Sequence, residues 1–181
     1  ELIQYFGEAG KLRAVQAECL LAGIMLDTKN FVMKTGVRTF EAAAVLRKMG
    51  ADTITVKKMF SSSIDSYKRK TQIVAEAEIY RKCAIAPCDF YADDLRIVAP
   101  QAADELLSIQ GVEASFVIYL AEKGVSISAR SMGNVNVQVI MEQLGGGGHQ
   151  TMAAAQLPDC TIQEAKERLL MTLEAQEMQK G

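Results

Sequence analysis

The sequence predicts an α/β protein in two parts, a helical segment over residues 1–60 and a strand-and-helix domain over residues 61–181. Three observations predict it. Helical apolar periodicity dominates the first half, with capping and stop residues where helices need them. Two strong strand signals, Phe116-Val117-Ile118-Tyr119-Leu120 and Val125 to Arg130, stand a hairpin's length apart in the second half. Beyond them lies Gly145-Gly146-Gly147-Gly148-His149, which holds four of the thirteen glycines and the only histidine. With 181 residues the chain is long enough to bury a real core.

The first part reads as successive helices. Leu12 to Leu26 is apolar on nearly every face towards its end, which suits a buried helix. It runs out on Asp27-Thr28-Lys29-Asn30. A carboxylate at the mouth of an apolar segment needs a partner, a cap or a metal. Asp is also a common cap and turn residue, and spacing alone favours that reading of Asp27. Thr39-Phe40-Glu41-Ala42 opens the next helix with Thr39 as N-cap, and Gly50 stops it after Arg47-Lys48. Asp52 caps a short helix running to Phe60. Ser61-Ser62-Ser63 is both a hinge and an N-cap for a linker helix over Ile64 to Tyr80, and the domain boundary is set there.

The second part mixes strands and helices. Cys83 to Ala86 reads as a strand, and Pro100 to Leu107 as a helix begun by proline in its first turn. Ala121 to Gly124 joins the two strong strands as a hairpin. In the second of these, Val125, Ile127 and Ala129 face one way while Ser126, Ser128 and Arg130 face the other, with Ser131 at the strand end. A helix over Asn136 to Leu144 leads into the glycines, and a strand over Ala153 to Leu157 follows them. Pro158-Asp159 then makes a turn. Thr161 with Glu164 forms a capping box for a helix to Leu173, with a frayed tail expected beyond it.

Composition excludes several functions. The net charge of −2 and pI of about 5.6 provide no basic field for long duplex nucleic acid, so a nucleotide partner is small or gripped at one place. The cysteines Cys19, Cys83, Cys88 and Cys160 include no Cys-x-x-Cys pair, and one histidine cannot complete a two-cysteine, two-histidine zinc site. Reduced thiols in a cytosolic setting are expected. No signal peptide is visible, and no apolar run approaches the roughly 18 residues of a membrane span. The chain opens on Glu1, and a longer parent is expected.

Four successive glycines are costly to order. They suit positive φ, or a ligand that must approach the main chain directly, and consecutive N–H groups can form an anion-binding nest. His149 adds a directional donor. The alternatives are a flexible linker or a helix C-cap; the apolar segments on both sides argue against the linker. Arg130 offers a planar fork suited to phosphate. Alone it reads as a solvated surface residue. Beside Ser128 and Ser131, and ahead of the glycines, it reads as part of a cradle for a phosphate or base edge.

Ser128-Ala129-Arg130-Ser131-Met132-Gly133, Asn136-Val137-Gln138 and Gly145-Gly146-Gly147-Gly148-His149 resemble the type-1 DHH-associated domain, the substrate-binding C-terminal half of DHH phosphoesterases. Ala22 to Phe31 and Thr35 to Ala42 resemble the closing segment of the DHH catalytic domain, and in order and wording they are most similar to the GdpP type of cyclic-di-AMP phosphodiesterase. The resemblance implies a helical end-piece of the catalytic domain followed by a mixed-sheet α/β domain. It implies a parent that hydrolyses cyclic-di-AMP to linear pApA with two divalent cations, typically manganese. Asp27 then falls on a metal ligand, which displaces the cap reading. Ser128, Arg130, Ser131, Gly145, Gly146, Gly147, Gly148 and His149 fall at the substrate's second phosphate and base. A homodimer is expected, on the cytoplasmic face, with membrane helices upstream in the parent. The Asp-His-His signature itself is absent. A lone carboxylate cannot hold two metals, so this piece by itself is expected to be inactive. Related alternatives are a nanoRNase-type enzyme acting on short oligonucleotides, a non-catalytic nucleic-acid-binding module, or a structural or dimerisation module.

Overall fold

The computed structural model describes Ile3 and residues 12–178. The chain forms two compact units that divide between Ser62 and Ser63.

The first unit contains α1 (Ala14–Asp27), α2 (Val37–Lys48) and α3 (Thr53–Met59). Ala17 and Leu21 of α1, Leu46 of α2, Ala51 from the link that follows it and Val56 of α3 bury together as its core. The helix α2 starts earlier than expected. Gly36 occupies the cap, and Thr39 sits inside the first turn, where its Oγ1 accepts the Gly36 N–H at 3.4 Å. Gly50 does stop this helix. It has φ +96°, its N–H reaches Arg47 O at 3.1 Å, and Ala51 N–H reaches Leu46 O at 3.1 Å. Those are the two bonds that satisfy the last carbonyls of a helix closed by a left-handed residue. Asp52 caps α3 by accepting the Thr55 N–H at 2.9 Å.

The second unit is a three-layer α/β structure around one mixed sheet. Its elements are α4 (Ile64–Ala75), β1 (Glu78–Tyr80), β2 (Cys83–Cys88), α5 (Leu95–Leu106), β3 (Ala114–Ala121), β4 (Gly124–Ser131), α6 (Val137–Gln143), β5 (Gly147–His149), β6 (Met152–Leu157) and α7 (Ile162–Met178). The strand order is β1-β2-β3-β4-β6-β5. Only β2 and β3 run parallel, with α5 as their crossover; the other neighbours are antiparallel. Ile73 of α4 and Leu95, Val98, Ala102 and Leu106 of α5 pack with Val117 and Tyr119 on one face. Ile140 and Met141 of α6 and Leu169 and Leu173 of α7 pack with Phe116, Ile118, Ile127 and Ala129 on the other.

Three expectations are corrected here. The linker helix ends at Ala75, and Glu78-Ile79-Tyr80 pairs with β2 instead, because sheet pairing there satisfies its backbone groups. The crossover helix begins at Leu95 and carries Pro100 inside it. Proline removes one N–H, yet the residues Leu95, Val98, Ala99, Ala102, Ala103 and Leu106 form a single buried stripe that outweighs that loss. The last helix continues to Met178 rather than fraying after Leu173. Its capping box is formed: Thr161 N–H donates to Glu164 Oε2 at 2.8 Å, and Glu164 N–H donates to Thr161 Oγ1 at 3.2 Å. Among the described residues no helix is long and apolar enough to cross a membrane.

Candidate functional site

The sheet register builds the site in transverse rows. Directly paired residues of antiparallel strands project from the same face. Ser115, Arg130, Met152 and His149 are paired in sequence across β3, β4, β6 and β5. The next row is Val117, Ser128, Ala154 and Gly147; the one after it is Tyr119, Ser126 and Gln156. The helix α5 covers the β3 end of these rows, where Ser115 Oγ donates to Ala103 O at 2.6 Å. Towards β5 the face opens: Met152, Ala154 and His149 are exposed.

Arg130 lies where covered and open faces meet, and it is 9% exposed. Its Nη1 donates to Ala129 O at 2.9 Å and to Ser128 Oγ at 3.4 Å. Its Nε lies 3.4 Å from Asp104 Oδ1 of α5 but makes no aligned hydrogen bond. Burial lowers the pKa of this guanidinium, and the Asp104 carboxylate opposes the shift. An arginine held this way is a preorientated fork for an anion.

The glycine run divides into two jobs. Gly145 has φ +78°, its N–H reaches Glu142 O at 3.0 Å, and Gly146 N–H reaches Met141 O at 2.8 Å. These two therefore close α6, as a C-cap does. Gly147-Gly148-His149 is an edge strand, where a loop was expected. A methyl at Gly148 would come within 2.5 Å of Ala153 Cα, and one at Gly146 within 2.6 Å of Ala155 Cα. Glycine is required at both because the backbones approach so closely. Gly147 differs: a methyl there would meet nothing within 4 Å.

Ser131 is buried and engaged. Its Oγ donates to Val135 O at 2.6 Å and accepts the Gly133 N–H at 3.2 Å, while its N–H reaches Thr151 O at 3.0 Å. Gln150, absent from the sequence-based set, completes this tie. Its Nε2 donates to Gly133 O at 3.0 Å and its carbonyl accepts the Val137 N–H at 3.0 Å. The two-residue turn Gln150-Thr151 and the loop after β4 are thereby fastened together, which fixes His149 beside Met152. A polar residue directly after the lone histidine was the available signal for Gln150. An acid directly after Ala102-Ala103 was the signal for Asp104.

Asp27 belongs to the first unit, as the exposed last residue of α1. Thr28 beside it is buried; its Oγ1 donates to Ile24 O at 2.7 Å and accepts the Phe31 N–H at 3.0 Å. Lys29, Asn30 and Phe31 all adopt left-handed φ, between 48° and 66°. Such backbone costs energy for side-chain-bearing residues and needs fixing of this kind. Among the described residues no three His, Cys, Asp or Glu side chains are grouped to hold a metal. The described residues therefore do not by themselves fit a metal pair.

Residues 83–178 match the DHHA1 domain. Over 177 residues the chain is 46% identical to the cyclic-di-AMP phosphodiesterase PdeA of Listeria monocytogenes, covering 97% of this chain and 27% of that protein. Over 171 residues it is 48% identical to the cyclic-di-AMP phosphodiesterase GdpP of Geobacillus thermodenitrificans, covering 93% and 26%. The chain thus spans about a quarter of the length of these curated relatives. An exopolyphosphatase-related protein of Bacteroides fragilis shares the fold, with a TM-score of 0.84 at 21% identity over 96% of this chain and 54% of that one.

Proposed function

Because this chain belongs to the DHHA1 domain family, we propose that it is the substrate-holding part of a phosphodiesterase that hydrolyses cyclic-di-AMP to linear pApA. The observation that carries this reading is the row that sets Arg130 and His149 on one open sheet face. A guanidinium fork and an imidazole there can hold a phosphate remote from the one being cleaved. Binding energy from such a remote group can position the reacting phosphorus.

Two divalent cations, manganese in this proposal, would supply water activation and charge neutralisation when bound. Asp27 would provide one of their ligands, and the parent's catalytic domain the others. Ser128 holds Arg130 Nη1, while Ser131 and Gly145 to Gly148 set the frame in which His149 stands. The protein acts as a homodimer on the cytoplasmic face, with the parent anchored by membrane helices outside this chain.

Steady-state hydrolysis by the parent with manganese tests the reading. The expected result is turnover of cyclic-di-AMP that linear dinucleotide inhibits only weakly. Preferred cleavage of short linear oligonucleotides would replace it with the nanoRNase-type activity.

A further inference from the structure

Met152 stands between Arg130 and His149, pairing with the first through β4 and with the second through β5. Directly opposed residues on one face of a sheet lie about 4.5–5.5 Å apart at Cβ, so long side chains there meet. Met152 is 44% exposed, and small solutes reach it. Met59, Met132 and Met171 are exposed as well, but none of them pairs with either group. Met59 belongs to the first unit, and Met171 lies on α7, which covers the opposite face of the sheet. A thioether is a weak acceptor, so Met152 leaves the donors beside it to a ligand. Arg130 Nη1 is engaged by Ala129 O and Ser128 Oγ, and Nε faces Asp104. A guanidinium has more donors than these contacts use.

We propose that Met152 is an oxidative modification site, and that its sulfoxide closes the anion seat by taking up donors of Arg130. The inference rests on the anion-holding role proposed for Arg130. The oxidant is hydrogen peroxide. A sulfur lone pair forms the S–O bond as the peroxide O–O bond breaks. The departing hydroxide takes the remaining proton and leaves as water. Sulfur is oxidised by two electrons and the peroxide is reduced by two. The product side chain is polar, and its oxygen is a strong acceptor where the thioether was a weak one. A neighbouring guanidinium donates to that oxygen as it would to a phosphate oxygen, in a charge-assisted bond. The exposed His149 imidazole, on the other side of the row, is a second donor within the same reach. Methionine sulfoxide reductases reverse the modification, so the site is switched rather than destroyed.

The test is titration of cyclic-di-AMP into wild type, Met152→Leu and Arg130→Ala, each before and after peroxide. Thiols are reduced again afterwards, and peptide mass spectrometry locates the added oxygen. Leucine keeps the apolar bulk of methionine and has no sulfur to oxidise. Oxidised wild type is expected to bind about 10-fold more weakly than its untreated form, and treatment with both sulfoxide reductases should restore it. Peroxide should leave Met152→Leu unchanged. Arg130→Ala should be weak from the start and lose nothing further. Where untreated Arg130→Ala is weak, three results overturn the modification site alone. One is full affinity in wild type carrying the sulfoxide at Met152. Another is an equal loss in oxidised Met152→Leu, or a further loss in oxidised Arg130→Ala. The third is a Met152 that stays reduced while Met171 is converted. Wild type that does not bind, or untreated Arg130→Ala that binds as tightly, removes the anion-holding role and this inference with it.

Discussion

Arg130 and His149 stand in one row of the sheet with only Met152 between them: Arg130 pairs with Met152, and Met152 pairs with His149. Four elements enforce this. The hairpin of β3 and β4 sets which face Arg130 takes, and the two-residue turn after β5 sets where His149 falls. Asp104 and Ser128 restrain the guanidinium, while Gln150 and Ser131 tie the turn to the loop after β4.

Neighbouring glycines of one run should respond oppositely to the same change. Gly146→Ala drives a methyl to within 2.6 Å of Ala155 Cα, against backbone that cannot give way. A loss of about 3 kcal/mol or more is expected, at the upper end of overpacking costs. Gly147→Ala meets open space and should leave the thermal midpoint nearly unchanged. Its methyl would project in the row of Ser128 and Ala154, so nucleotide binding should fall while stability holds. Thermal unfolding and titration on both variants check this.

Ser131→Ala should damage the site through its scaffold. The hydroxyl joins Val135 O, Gly133 N–H and Gln150 O in a buried position. Leaving these without a partner should cost about 1–3 kcal/mol. Hydrogen exchange at Gly133 and Val137, whose N–H groups are held by this network, should speed up in the variant, ahead of exchange in β3 and β4.

The strands of the hairpin were legible because β3 and β4 follow simple alternation, and that alternation put Ser126, Ser128 and Arg130 on one face. The edge strand β5 was hidden. Glycine is a poor strand former, and Gly146 and Gly148 are needed for contact with β6, a tertiary fact. The start of α5 was masked by Pro100, whose usual place is the first turn of a helix. The approach of Asp104 to Arg130 joins residues from different elements and leaves no periodic trace.

Acid should loosen the second unit through Asp94. Its Oδ2 accepts from Arg69 Nη2 at 2.6 Å and from Ser66 Oγ at 2.7 Å, joining α4 to the start of α5. The Arg69 guanidinium, and then the Ser66 hydroxyl, hold this carboxyl below its ordinary value of 3.8. A folded pKa below the unfolded one means that the stabilisation is complete above about pH 4 and is lost as pH falls through the folded value. Denaturant melts from pH 7 to pH 3 should show the stability gap between wild type and Asp94→Asn narrowing below pH 4. A gap that stays constant across that range would rule this linkage out.

The account depends most on an anion seated between Arg130 and His149. The direct measurement is titration of cyclic-di-AMP into this chain and into Arg130→Ala and His149→Ala, with folding verified by circular dichroism. Loss of one charge-assisted bond predicts roughly 10- to 100-fold weaker binding for Arg130→Ala, and a smaller but clear loss for His149→Ala. Unchanged affinity in both folded variants would contradict the account.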